Sequence, residues 1–231
     1  MIVLLSTLAF ASPEGLALLE KIDSATSLQS AEMTLELEVR RPNGSSVQRS
    51  LQIWQAENDA RLVRLTAPSR LKGVGLLVST DDQLHMFLPQ YPPSRRVVGS
   101  SRADSFMGTD FAIDDLARLS YAKTYDAEIK SQSAERTVLS LIPKDKGAQK
   151  GELHIDSEYR ILQHIHYTSK GEIDRDIQMS DYRQIDNVWL AHHVEVTDSK
   201  TKRQTIGTLS NIQINQSIPA ETFTLQYLEN P

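Results

Sequence analysis

None of the 231 residues is a cysteine, which excludes a disulfide framework, thiol catalysis and the lipid-accepting cysteine of a bacterial lipoprotein. A basic surplus is missing too. With 30 acidic residues against 25 Lys and Arg, the net charge of −5 argues against nucleic acid as a partner, because phosphate binding needs a basic surface that displaces counterions. There is no G-x-S-x-G elbow, H-E-x-x-H helix, P-loop or dinucleotide glycine fingerprint, so none of the common catalytic or nucleotide-binding signatures points to an enzyme or a cofactor. Linkers, repeats and low-complexity tracts are also absent. A chain of this length with 39% hydrophobic and 24% charged residues is expected to form one globular domain, residues 12–231.

The apolar run Met1 to Ala11 is too short for a bilayer, which needs about 20 residues. It has the length of a signal-peptide core, and Ala9-Phe10-Ala11 puts small residues at the two positions that signal peptidase reads, predicting cleavage before Ser12. No Lys or Arg precedes it. Residues 1–11 are therefore read as a truncated signal peptide, the alternative being a buried N-terminal strand. The mature domain is expected to be soluble in the periplasm.

Ser12 and Pro13 are a good helix N-cap and first-turn pair, and Leu16, Leu19 and Ile22 follow at helical spacing. From Met33 the period becomes two. Met33, Leu35, Leu37 and Val39 alternate with polar residues, Pro42-Asn43-Gly44 turns the chain, and the next strand carries Val47, Leu51 and Ile53, with a further turn at 57–59. Further strands are read at 62–65, 74–78, 84–88, 137–142, 152–155, 161–167, 174–182, 188–196 and 204–214. Hairpin spacing makes an up-and-down antiparallel sheet the simplest topology. Only Pro89 to Lys123 breaks the pattern, loop-like at first and helical around 114–119. The fold class is mainly β, a large sheet that curls and is covered by two helical pieces.

Three constellations could carry function. If the turn after His154 centres near Glu158, alternation puts Glu152, His154, Leu162, His164 and His166 on one face, and Leu153, Ile155, Ile161 and Ile165 on the other. The apolar face then takes the core and the histidines face water, so no metal site is assigned. Arg95, Arg96 and Arg102 form the densest positive patch, suited to a lipid headgroup, an anionic membrane or an acidic partner, or simply a solvated loop. Finally, Phe106, Met107 and Phe111 stand in a stretch without strand alternation, where Gly108 permits a sharp turn before a helix near 110–112. Such side chains can line an adaptable apolar pocket or plug the end of the core.

The order Arg61 to Leu65, Ala67-Pro68, Leu71-Lys72-Gly73-Val74-Gly75-Leu76-Leu77, Leu84 to Pro89, Arg95-Arg96-Val97, Ser105-Phe106-Met107-Gly108-Thr109-Asp110-Phe111 and Asp114-Asp115-Leu116 resembles the LolA-like outer-membrane lipoprotein-sorting proteins. Within that family it is similar to the branch found beside lipid-exporting transporters. The resemblance implies a strongly curved antiparallel half-barrel closed by helices, with a concave apolar face that receives the acyl chains of lipoproteins or other lipids. Ala112 departs from the pattern, standing where a helix-capping hydroxyl is common, so the cap is expected to fall to Asp110. Phe106, Met107 and Phe111 are expected near the cavity mouth, with Trp54, Leu65, Leu76, Phe87 and Trp189 as lining candidates. Gly108 is the expected hinge of a gate spanning Pro89 to Lys123. A periplasmic carrier with an inner-membrane transporter and an outer-membrane acceptor as partners is the leading reading. The alternatives are a ligand-free adaptor docking through Arg95, Arg96 and Arg102, and, third, an enzyme.

Overall fold

The computed structural model describes residues 12–56, 60–80 and 83–231; the signal-peptide expectation, the turn at 57–59 and the middle of the turn at 80–83 lie outside them. Helix α1 (Pro13–Ala25) begins as its cap predicts, with the Ser12 hydroxyl accepting from the Gly15 amide at 2.9 Å. Six strands follow: β1 (Ala31–Arg40), β2 (Ser46–Gln55), β3 (Arg61–Ala67), β4 (Gly75–Val78), β5 (Leu84–Phe87) and the two-residue β6 (Arg95–Arg96). Two short helices, α2 (Ile113–Ala117) and α3 (Tyr121–Thr124), lead to β7 (Tyr125–Gln132), β8 (Thr137–Pro143), β9 (Gly151–Ile155), β10 (Ile161–Tyr167), β11 (Ile173–Ile185), β12 (Val188–Asp198) and β13 (Gln204–Ile214), and α4 (Leu225–Glu229) ends the chain. Among the described residues no helix is long and apolar enough to cross a membrane.

All thirteen strands form one antiparallel sheet, a strongly curved, open half-barrel of the order β6-β5-β4-β3-β2-β1-β13-β12-β11-β10-β9-β8-β7. It is two up-and-down meanders joined where β1 pairs with β13. The expected topology therefore holds within each half and breaks once: β6 and β7, consecutive in the chain, lie at opposite edges. Strand β7 was not among the predicted strands, because its alternation is brief and its end, Lys130-Ser131-Gln132, is wholly polar.

Register shows which face is inner. The row Val63, Ile53, Met33 and the row Leu65, Leu51, Leu35, Leu209 run across β3, β2, β1 and β13, and Val196 and Val194 continue the surface through Ile177 and Met179 to His164 and Leu153. The connection from β6 to β7 covers one end of this face, where Phe106, Phe111, Ile113 and Leu116 pack with β1 to β5 and β11 to β13. Helix α1 covers the other, packing Leu19 and Ile22 against Tyr125, Leu139, Leu141, Leu153 and Ile155. The outer face is mostly polar, except where Leu228 of α4 rests on Leu62, Leu77 and Phe87.

Gly15 explains how α1 comes so close to the edge of the sheet. A Cβ there would lie 2.0 Å from the Ala127 carbonyl oxygen, the same oxygen that accepts from the Ser12 amide at 3.2 Å. Alanine would favour an isolated helix by up to about 1 kcal/mol, but the collision is with backbone and cannot be relieved by a rotamer change. Gly15→Ala is therefore expected to destabilise the protein by about 1–3 kcal/mol, read as a lowered melting temperature. An unchanged or raised melting temperature would show that α1 is not held against β7.

Candidate functional site

A cavity of about 630 Å³ opens between the C-terminal end of α1, the α2–α3 connection and the sheet. Leu28, Met33, Leu119 and Leu190 give it apolar walls, and Arg61, Arg118, Lys123 and Asp23 add charge. Such a volume falls in the range of ligand sites. The Asp23 carboxylate accepts from the Ser120 hydroxyl at 2.6 Å and from the Tyr121 and Ala122 amides at 2.7 and 2.9 Å, tying α1 to the start of α3. Arg61, at the start of β3, donates to the Leu116 and Arg118 carbonyls at 3.1 Å each, and to Gln55 Oε1 at 2.6 Å. It thus clasps the open carbonyl end of α2 to the sheet, as a cation at a helix C-terminus does. Burial lowers its guanidinium to about 10.

A second set of polar contacts fixes the cover over the middle of the inner face. Asp114 binds Arg102 at 2.8 Å and Arg118 at 2.7 Å. Asp115 meets Arg175 at 2.9 Å and His166 Nε2 at 3.2 Å, and also accepts from the Ala112 amide at 2.8 Å. Burial works to raise the Asp115 carboxyl, but Arg175, His166 and Arg118 outweigh it and hold it well below the usual 3.8. Tyr121 Oη lies 3.3 Å from His164 Nδ1, and the His164 and His166 rings are 3.9 Å apart.

These histidines correct the sequence reading. They do not face water: His164 is 0% and His166 2% exposed. Ile161 pairs with Ile155, but Gln163 already pairs with His154, so one extra residue is inserted in β10. That bulge shifts the alternation and brings His164 opposite Leu153, on the core side. Nothing in the local apolar pattern marks a bulge. Among the described residues no group of three His, Asp or Glu side chains is placed to hold a metal ion.

The Phe106 to Phe111 segment is a miniature hairpin. The Phe106 amide donates to the Phe111 carbonyl at 2.9 Å, and the Thr109 amide donates to the Phe106 carbonyl at 3.0 Å across Met107 (φ 48°) and Gly108 (φ 76°). Positive φ at both central residues is the type I′ pattern, which suits glycine. Asp110 does not cap α2. Its carboxylate takes Arg203 at 2.6 Å and the Thr205 hydroxyl at 2.7 Å, so it anchors this hairpin to β13. Ala112 precedes the helix without a side-chain cap.

The walls of this cavity include neither the three residues expected at a mouth nor the five lining candidates. Phe106 and Phe111 are buried in the main core, Met107 packs against it, and Leu65 and Leu76 lie on the same inner face. Trp54 and Phe87 belong to the outer-face cluster with Leu228. Trp189 points away from Leu190 by strand alternation, its ring 4.9 Å from the Arg160 guanidinium. Arg95 and Arg96 are exposed on β6, whereas Arg102 is turned in to Asp114. Sequence reasoning missed Arg61, whose carbonyl partners Leu116 and Arg118 are more than fifty residues away, and the Asp115–Arg175–His166 group, in which His166 and Arg175 come from β10 and β11.

The buried histidines give the stability a sign with pH. Burial pushes His164 well below its ordinary 6.5, and His166 and Arg118 add to this; burial lowers His166 as well, partly offset by Asp115. The unfolded chain then binds more protons than the native one as pH falls below 6.5, so stability drops in that window, by up to about 1.4 kcal/mol per pH unit for each histidine. A further loss, from Asp115, begins below 3.8. Denaturant melts of the His164→Leu protein should show a shallower decline between pH 6.5 and 4.5 than wild type. Equal slopes would mean that His164 carries a proton in the native state.

A family model described as an uncharacterized protein matches residues 57–230. No curated protein matches the chain. Among solved structures, an outer membrane lipoprotein-sorting protein domain from Vibrio parahaemolyticus superposes with a TM-score of 0.83 at 21% identity, over 94% of this chain and 98% of that one. A DUF1329 family protein from Desulfovibrio piger gives 0.84 at 20% identity, over 95% and 100%. A LolA superfamily protein from Nitrosomonas europaea gives 0.78 at 20% identity, over 92% and 98%. The chain therefore belongs to the uncharacterized-protein family that the matching model describes, and its fold is that of the LolA-like lipoprotein-sorting proteins.

Proposed function

We propose that the protein is a periplasmic carrier that takes up acyl chains of lipoproteins or other lipids, between an inner-membrane transporter and an outer-membrane acceptor. The observation that carries this reading is the cavity of about 630 Å³ at the rim of an apolar inner face. Each buried methylene contributes about 0.8 kcal/mol, so several turns of chain along Leu28, Met33, Leu119 and Leu190 would give useful affinity without a catalytic group. Leu65 and Leu76 lie further along the same face, with Phe106, Met107 and Phe111 of the cover packed against it, and these would meet a longer chain once the cover shifts. Trp54, Phe87 and Trp189 have no part in this path. Exposed Arg95 and Arg96, with exposed Tyr91 and Val98 nearby, favour this edge as the partner-docking surface; charge reversal at both should weaken transporter pull-down and leave lipid uptake intact.

Native mass spectrometry of gently purified protein is expected to show bound lipid, and a fluorescent fatty acid should be taken up with one-to-one stoichiometry. Leu190→Trp, which narrows the cavity, should reduce uptake at least tenfold with little change in melting temperature. An empty protein that takes up no fatty acid would sink the carrier reading.

The cover is the gate in this scheme. Hydrogen exchange should be faster over residues 97–124 than in the strands, and bound lipid should slow it. Arg61→Leu, which removes the clasp on α2, should speed that exchange and shorten lipid retention. Gly108→Val should do likewise through its strained positive φ, since open space surrounds the residue. Identical exchange with and without lipid would place the gate elsewhere.

A further inference from the structure

Arg49 is a largely buried arginine with no counter-charge among the described residues. It lies on the inner face of β2, opposite Leu37 of β1 and two residues from Leu51, in a row of fully buried leucines. Only 6% of the residue is exposed. Its one hydrogen bond among the described residues is from Nη1 to the carbonyl of the adjacent Gln48 at 2.9 Å, and its Nε is buried without a partner among them. Among the described residues no carboxylate pairs with it. The acidic residues of the facing strand, Glu32, Glu36 and Glu38, alternate onto the outer face, where they bind Gln52, Ser50 and Arg40.

The neighbouring charges aggravate the burial. The guanidinium is lowered first by burial and then by Arg70 and Arg41. Arg70 is in the turn Ser69–Leu71 that follows β3, and Arg41 follows the last residue of β1, so both flank the same end of the sheet, exposed to solvent. Leu71 of that turn packs against the main core. A buried charge without a partner is costly, and the solvent-exposed Arg70 and Arg41 add like charge at the same end of the sheet. That arrangement is relieved by an anion, which arginine binds through paired, charge-assisted hydrogen bonds.

We propose that Arg49, flanked by Arg41 and Arg70, is an anion site for the carboxylate or phosphate of an amphiphile whose apolar part lies along Leu37, Leu51 and Leu65. This deepens the carrier reading and rests on it for the apolar half of the ligand: the substrate class becomes anionic lipids rather than any acyl chain. The site is separate from the cavity beside Arg61, whose walls do not include Arg49.

The test compares hexadecanoate with hexadecanol, identical in chain and different in charge, on the full chain and on Arg49→Gln and Arg49→Met. Hexadecanoate is expected to bind at least tenfold more tightly than the alcohol to the wild type, with the ratio falling towards one in both variants while alcohol binding is unchanged. Arg49→Met, which removes an unpaired buried charge, should melt no lower than wild type; a clearly lower melting temperature would make Arg49 structural and overturn the proposal. Equal affinity of the two ligands for the wild type would overturn the anion site and leave the carrier reading standing. Binding of neither would sink the carrier reading, and the site would then be judged by inorganic phosphate alone. An arginine Nε resonance shifted by phosphate in the wild type, and missing or unmoved in Arg49→Gln, would support a free-anion site, whereas no shift would overturn it.

Discussion

The architecture depends on one topological constraint: two strands that follow each other in the chain, β6 and β7, occupy opposite edges of a thirteen-stranded sheet. Pairing of β1 with β13 imposes this, because it joins the two meanders through their first and last strands and leaves their other ends outermost. The intervening chain must then cross from edge to edge. A crossing over the outer face would leave the inner apolar rows exposed to water; a crossing over the inner face covers them with Phe106, Phe111, Ile113 and Leu116. The cover is thus a consequence of strand order.

The attachment of that cover is chemically unlike the rest of the core. Strand rows meet through aliphatic contacts that have no preferred direction. The cover is held at discrete polar points: Asp110 to Arg203 and Thr205, Asp115 to Arg175 and His166, Asp23 to the start of α3, and the carbonyl end of α2 to Arg61. Buried ion pairs add little net stability over an apolar equivalent, yet they are costly to break singly. Such points favour one seated position of the cover and disfavour partly shifted ones. The apolar part beneath is shared between sheet and cover, so an acyl chain entering there would replace contacts of the same kind.

Much of the fold was legible because alternation reports directly on a half-buried strand. Met33 to Val39 and Thr137 to Ile142 show it, and both strands form where their patterns place them. The failures share a cause. A bulge in β10 adds one residue without altering composition, so the sides assigned to His164 and His166 were inverted. Alternation in β2, β5 and β12 separates two faces but does not say which faces the cover, and Trp54, Phe87 and Trp189 fell on the outer one. The short α4, which makes the outer face apolar around Leu62 and Leu77, carries no long periodic signal. Trp54 and Phe87 instead pack with the C-terminal helix on that outer face.

The charged residues show the limit most clearly. Arg61, Arg102 and Arg175 look in the sequence like solvated side chains, and each is instead committed to the cover through a partner more than ten residues away. Burial of a charge is decided by whether such a partner arrives, and tertiary pairing alone brings it. Arg49 is the informative exception, since it is carried inward by the alternation of β2 while the acids of β1 are carried outward by theirs. The same periodicity that builds the leucine rows places this guanidinium among them, and no described residue neutralises it. A guanidinium set in this way beside apolar rows is the point of the inner face at which an anionic amphiphile would gain most from charge pairing.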